Sequence, residues 1–340
     1  MINEKMKKRI IFGSIMLTVL GGLFAVDWYL QSQAFPSAEC LMSSMPLKDC
    51  NISKSNGFFS QSEFDYKYPG ILVGVLLTGL VIAGYFEYRK MMKNLGIKLL
   101  DFTAIGALLL ILILGSGWFS ISDLANIKGA TKAYRALAVI FQSLVSVLIP
   151  CIVLSAFLEQ MIRGKLEDAV RRIGATLLGI GWLGFCAMMI FKIRMSFGTG
   201  ILLTFLLATK FTDIGAYFTG SFFGKNKMIP WLSPGKTWEG LAGGLAASGI
   251  ISLVLGLCLP LASNQPGAIF WIIFGVVCGF VGQFGDLCES LLKRTSNVKD
   301  SASIIPEFGG VLDLIDSPLI AAPVAFYMLT IESYFLNLPA

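Results

Sequence analysis

Long apolar runs separated by short polar segments occupy nearly the whole chain. They fall at 10–30, 70–86, 102–120, 135–157, 173–191, 197–222, 239–263, 268–285 and 318–337. Each is close to the roughly 20 residues that an α-helix needs to cross a hydrocarbon core. None shows the period-two alternation over about ten residues that marks a membrane-spanning strand. The pattern predicts an all-α integral membrane protein, a polytopic bundle of about nine transmembrane helices.

Composition strengthens that reading. Of 340 residues, 55% are hydrophobic and 14% are charged, against about a quarter charged in soluble domains. The net charge is +6, and most of the excess lies beside the apolar runs, where it sets topology and meets anionic lipid heads. No cluster of Lys and Arg with interleaved aromatics points to nucleic acid. Histidine is absent, which removes His-based acid–base catalysis, Ser–His triads and His-ligated zinc. The seven cysteines contain no CxxC pair. Five sit in or beside apolar runs and read as small buried hydrophobes. Cys40 and Cys50 share a polar loop and can pair if it faces an oxidising compartment.

The basic start, MINEKMKKR, precedes a run too long for a signal peptide and is read as the cytoplasmic end of a retained first span. With nine spans, parity assigns loops 87–101, 158–172, 223–238 and 286–317 to the cytoplasm and the C-terminus to the outside. These loops hold most of the Lys and Arg, as the positive-inside rule demands. The segment EYRKMMKNLGIK at 87–98 reads either as an amphipathic stretch along the inner lipid surface or as an ordinary basic loop. The chain is one membrane domain, divisible into an N-terminal region (1–200) with a polar non-cytoplasmic loop at 31–69 and a C-terminal catalytic region (201–340).

Two constellations carry chemistry. In 210–240, Asp213 lies near the end of an apolar run, where an ionised group needs a partner or a function. Lys225, Lys227 and Lys236 follow in a Gly- and Pro-containing loop that lets backbone N–H groups approach phosphates. Gly235-Lys236-Thr237 is not a P-loop, because Pro230 stands where the first glycine would be. The second constellation, 285–317, holds Asp286, Glu289, Lys293, Arg294, Lys299, Asp300, Glu307, Asp313 and Asp316. Such a mixture suits a polyanion: carboxylates hold a divalent cation and Lys and Arg hold the phosphates that share it. Without histidine or a dense thiol set the ligands are oxygens, so the expected metal is Mg²⁺, with Mn²⁺ as substitute. Each residue also has a structural alternative. Asp300 can cap a turn, Asp316 with Ser317 and Pro318 can cap the last helix, and Lys293 and Arg294 can reach out to lipid heads.

At these residues the sequence resembles the integral-membrane phosphatidate cytidylyltransferases. Ser290, Lys293, Arg294, Lys299, Asp300, Ala302, Ile305, Pro306, Gly309, Gly310, Asp313 and Asp316 match that family's signature in order and spacing, led by Gly285-Asp286 and Glu289. Asp213-Ile214-Gly215-Ala216-Tyr217 and Ser233-Pro234 with Lys236-Thr237-Trp238-Glu239-Gly240 look like its second conserved region. The match covers roughly the C-terminal 130 residues. Two positions depart from the pattern: Phe308 replaces the usual histidine and Leu314 the usual arginine.

The resemblance implies transfer of CMP from CTP to phosphatidate, giving CDP-diacylglycerol and pyrophosphate at the inner membrane, with the N-terminus and motif loops cytoplasmic. It implies Asp286, Asp313 and Asp316 as metal ligands and, with Lys293, Arg294, Lys299 and Asp300, as the catalytic set. It places Asp213, Ser233, Lys236, Thr237, Glu239, Ser290, Gly309 and Gly310 against substrate. The expected partners are CTP, phosphatidate and membrane lipids, with a homodimer allowed and no nucleic acid. The alternatives are a CTP-dependent kinase or cytidylyltransferase for another lipid or isoprenoid phosphate, or an inactive homologue.

Overall fold

The computed structural model describes residues 71–112, 132–164, 166–258, 266–298 and 310–336, together with Gly22 and Val26. Apart from those two residues, the expected first span at 10–30 lies outside the described residues, as do the loop at 31–69 with Cys40 and Cys50, and Lys299, Asp300, Phe308 and Gly309.

The described residues are helical almost throughout, because an apolar backbone in hydrocarbon must satisfy its hydrogen bonds within each segment. In order the helices are α1 (Ile71–Asn94), α2 (Asp101–Leu112), α3 (Lys132–Arg163), α4 (Ala169–Gly179), α5 (Cys186–Phe223), α6 (Trp238–Cys258), α7 (Ala268–Thr295) and α8 (Leu312–Leu336). A π-helical turn, Ile180–Phe185, joins α4 to α5. A short antiparallel hairpin, β1 (Lys227–Ile229) and β2 (Ser233–Thr237), separates α5 from α6.

Among the described residues five helices are long and apolar enough to cross a membrane: Leu72–Asn94, Ala169–Phe223, Trp238–Cys258, Ala268–Thr295 and Leu312–Phe335. The number differs from nine partly because Ala169–Phe223 counts once, although a kink divides it into two helices near the boundary between the expected spans 173–191 and 197–222. Its one non-helical residue is Gly198 (φ 85°, ψ 174°), at the expected junction. Positive φ there costs a glycine nothing and would strain any other residue.

Helix α5 packs most extensively against α6, and α7 and α8 complete the C-terminal bundle. Small residues allow this. A methyl group on Gly244 of α6 would lie 2.6 Å from the Thr212 carbonyl oxygen, and one on Gly285 of α7 would lie 2.6 Å from that of Asp316 in α8. Close backbone approach is the usual basis of helix association in a membrane, where the solvent is as apolar as the side chains.

Segment 87–98 is neither a separate surface helix nor a plain loop. Residues 87–94 continue α1, with Tyr88, Met91 and Met92 buried and Arg89 and Lys90 exposed. The helix stops at Gly96 (φ 75°), whose N–H donates to Lys93 O at 3.0 Å, while Ile97 N–H donates to Met92 O at 2.9 Å. Leu99 and Leu100 are buried just beyond. Of the five cysteines expected inside, Cys186 and Cys278 are buried, but Cys151, Cys258 and Cys288 are on the exterior. An exterior facing lipid tolerates a small apolar side chain as well as a core does.

Candidate functional site

The eighth apolar run ends in sequence at Gly285, yet α7 continues to Thr295. Asp286, Glu289 and Lys293 therefore stand at i, i+3 and i+7, on one face of a helix. Helix α8 begins at Leu312, so Asp313 lies in its first turn and Asp316 one turn later. Asp316 is thus inside the helix and does not cap it, and its Oδ1 accepts the Ser317 N–H at 2.6 Å. The close contact at Gly285 brings the two acidic faces together.

The result is a carboxylate group. Asp286, Glu289 and Asp316 each offer an oxygen within 4.8 Å of the other two. Glu289 and Asp316 are buried, while the Asp286 side chain is 34% exposed. The group is therefore closed on one side and open at Asp286. Glu289 Oε1 has no hydrogen-bond partner among the described residues, and a buried carboxylate oxygen left so is costly unless a cation meets it. All-oxygen donors with one such orphaned atom fit a hard divalent cation.

Asp313, expected beside Asp286 and Asp316, is held elsewhere. Its Oδ1 accepts from Lys293 Nζ at 2.7 Å and its Oδ2 from the Gly310 N–H at 2.7 Å. Lys293 also donates to Glu289 Oε2 at 2.9 Å. One ammonium thus ties α7 to α8 and faces the carboxylate group, rather than reaching to lipid.

On the open side, Lys236 of β2 pairs with Asp286 Oδ2 at 2.7 Å and donates to Gln283 O at 3.3 Å. Gln283 Nε2 donates to Asp213 Oδ1 at 2.7 Å, and Lys210 stands 3.8 Å from Asp213 Oδ2. Arg294 Nε donates to Leu232 O at 3.4 Å, anchoring the hairpin turn to the end of α7. The two sequence constellations are therefore one site, joined through Lys236–Asp286, Gln283–Asp213 and Arg294–Leu232.

Other expected residues have structural tasks. Thr237 is buried, and its Oγ1 accepts the Gly240 N–H at 3.0 Å, which caps the start of α6. Glu239 accepts from Asn226 Nδ2 at 2.7 Å and from the Asn226 N–H at 3.2 Å, closing the hairpin. Ser233, paired with Ile229, and Ser290, next to Glu289, are both half-buried beside the site. Leu314, where the resemblance leads one to expect arginine, packs against the hydrophobic core.

Two site residues were given no role from sequence, although Glu289 was named in the charged stretch. Glu289 is the third member of the carboxylate group, and its spacing from Asp286 is the signal that places it there. Gln283 is a polar residue inside an apolar run, three positions before Asp286, and that alone marks it.

A phosphatidate cytidylyltransferase of Bacillus subtilis is 37% identical over 164 residues, 47% of this chain and 60% of that protein. One from Haemophilus influenzae is 43% identical over 135 residues, 38% of this chain and 46% of that protein. An uncharacterised Escherichia coli protein, YnbB, is 42% identical over 134 residues, 39% of this chain and 43% of its own length. The chain thus aligns with about half the length of these curated relatives. The model of the cytidylyltransferase family matches residues 64–332, most of the sequence, and the chain belongs to that family.

Proposed function

We propose that the chain is a phosphatidate cytidylyltransferase of the inner membrane. The observation that carries this is the three-carboxylate group at the junction of α7 and α8, walled by Lys236 and Lys293 and open at Asp286. In the reaction a phosphate oxygen of phosphatidate bonds to the α-phosphorus of CTP. The bond from that phosphorus to the oxygen bridging to the β-phosphate breaks, and pyrophosphate leaves with the electron pair. The nucleophile is already an anion, so no strong base is needed, and a chain without histidine is equipped for the step.

Asp286, Glu289 and Asp316 would hold Mg²⁺, with Mn²⁺ as substitute. When bound, the cation neutralises phosphate charge and draws electron density from the reacting centre. Lys236 exchanges its contact with Asp286 for a triphosphate oxygen, and Lys293 holds Glu289 and Asp313 while offering charge to the same phosphates. Arg294 fixes the hairpin that forms one wall, and Asp213 with Gln283 orients the Lys236 side. Lys299, Asp300, Gly309 and Gly310 complete the phosphate-binding segment, with Asp313 acting through Lys293. The site lies at the ends of apolar helices, where a membrane lipid and a soluble nucleotide meet, and the basic loops support a cytoplasmic side for it.

Purified protein in detergent is given phosphatidate, Mg²⁺ and α-labelled CTP. The expected result is label in the lipid phase, abolished by EDTA. Label only with another lipid phosphate would replace the acceptor, and γ-label in lipid without α-label would make the enzyme a kinase.

A further inference from the structure

The N-terminus of α8 carries Asp313 and Asp316, yet no side chain of its own cap position secures it. The residue before Val311 is Gly310, whose N–H is taken by Asp313. The next two N–H groups belong to Val311 and Leu312, both buried, so water does not reach them. Left unpaired, they would be among the orphan donors of a helix start. Their partner comes from more than two hundred residues earlier. Glu87 of α1 accepts the Val311 N–H on Oε1 and the Leu312 N–H on Oε2, each at 2.8 Å.

Glu87 is 3% exposed, although Arg89 and Lys90 just after it on the same helix are exposed. The helices are close there for a second reason: a methyl group on Gly84, one turn before Glu87, would lie 3.7 Å from both Leu312 Cδ1 and Ile315 Cδ1. An acidic group aimed at two helix-start N–H groups also meets the positive end of the helix dipole. The clamp is therefore directional. It fixes the azimuth at which α8 leaves its first turn, and with it the faces on which Asp313 and Asp316 project.

Building on the cytidylyl-transfer reading, we infer that Glu87 is a positioning residue: it clamps the start of α8 so that Asp316 joins the carboxylate group and Asp313 meets Lys293. The N-terminal half of the protein thus helps to set the geometry of a site whose other members all come from residues 210–316.

The test compares wild type, Glu87→Ala, Glu87→Gln and Tyr85→Phe, each purified in detergent and shown to be monodisperse. Tyr85→Phe is a control on the same helix that removes only the 2.7 Å bond to Asp101. Hydrogen exchange of peptides within 310–320 reads the clamp without any ligand. Titration with Mn²⁺ alone, followed by electron paramagnetic resonance, reads the carboxylate group, and turnover gives kcat and KM.

Glu87→Ala is expected to speed exchange in 310–320 by about tenfold. It should also weaken Mn²⁺ by about 10-fold or more, as loss of a group that orients ligands does, and lower kcat with little change in KM for CTP. Glu87→Gln, which keeps one acceptor, falls between, and decides the matter if the alanine variant does not fold. Tyr85→Phe stays at wild type. Wild-type exchange and Mn²⁺ affinity in a folded Glu87 variant overturn the inference. A wild-type protein that binds no Mn²⁺ and transfers no CMP overturns the functional reading instead, and exchange in 310–320 still decides the clamp.

Discussion

Lys293 holds two carboxylates with one ammonium, and the three side chains are 15% exposed or less. Lys293→Ala leaves Glu289 and Asp313 facing each other without a cation. It should lower stability by about 2–3 kcal/mol, short of the roughly 3–5 of a fully buried pair, and a thermal melt in detergent checks this. The ligand set makes a second prediction. Asp286→Asn, Glu289→Gln and Asp316→Asn should each reduce turnover by on the order of 100-fold or more while the protein stays folded. Asp313→Asn should also lose turnover but keep more of the Mn²⁺ affinity, because its carboxylate is spent on Lys293 and Gly310. Equal Mn²⁺ loss in all four would return Asp313 to the ligand set. From sequence, Asp286, Asp313 and Asp316 were legible as acids at span ends, but which three converge depends on helix rotation. A spacing of three residues within one helix does not reveal what the neighbouring helix presents.

Helix α7 passes from an apolar run into a charged segment without interruption. Hydropathy stops at Gly285 because it counts charges as if they were solvated, whereas here Asp286 pairs with Lys236 of β2, and Lys293 pairs with Glu289 of its own helix and with Asp313 of α8. The contact at Gly285 depends on the missing side chain. Gly285→Ala sets a methyl group against a backbone carbonyl, which does not swing away as a side chain would. It should cost about 1–3 kcal/mol, as overpacking does, and reduce kcat by moving Asp286 away from Asp316. Thr237 supplies the contrast at the other wall. Thr237→Ala removes the cap of α6 and should cost about 1 kcal/mol, and Thr237→Ser should restore it. Turnover per folded molecule is expected to fall little in either variant, and a large loss rescued by neither stability nor substrate concentration would restore Thr237 to substrate contact.

Across the whole molecule, a site on one membrane face requires the hairpin and the α7–α8 junction to share that face. With the native cysteines replaced, a cysteine in place of exposed Lys227 should react with an impermeant maleimide in inverted vesicles and not in intact cells. The reverse pattern would place the site outside and remove access to CTP. The sequence by itself determined that the chain is a helical membrane protein, since apolar runs of this length have no other solution in hydrocarbon. It also showed that the charged groups of the two constellations are carboxylates, ammonium and guanidinium groups without histidine. Only the tertiary structure shows that Glu289 lies with Asp286 and Asp316 while Asp313 bonds Lys293, that Thr237 and Glu239 bond the start of α6 and the hairpin, and that Glu87 accepts from the start of α8. Those outcomes rest on which helix faces meet, on backbones close enough for glycine only, and on contacts between residues as far apart as Glu87 and Leu312. Local pattern carries no information about such pairings, because their energy exists only once the helices are packed.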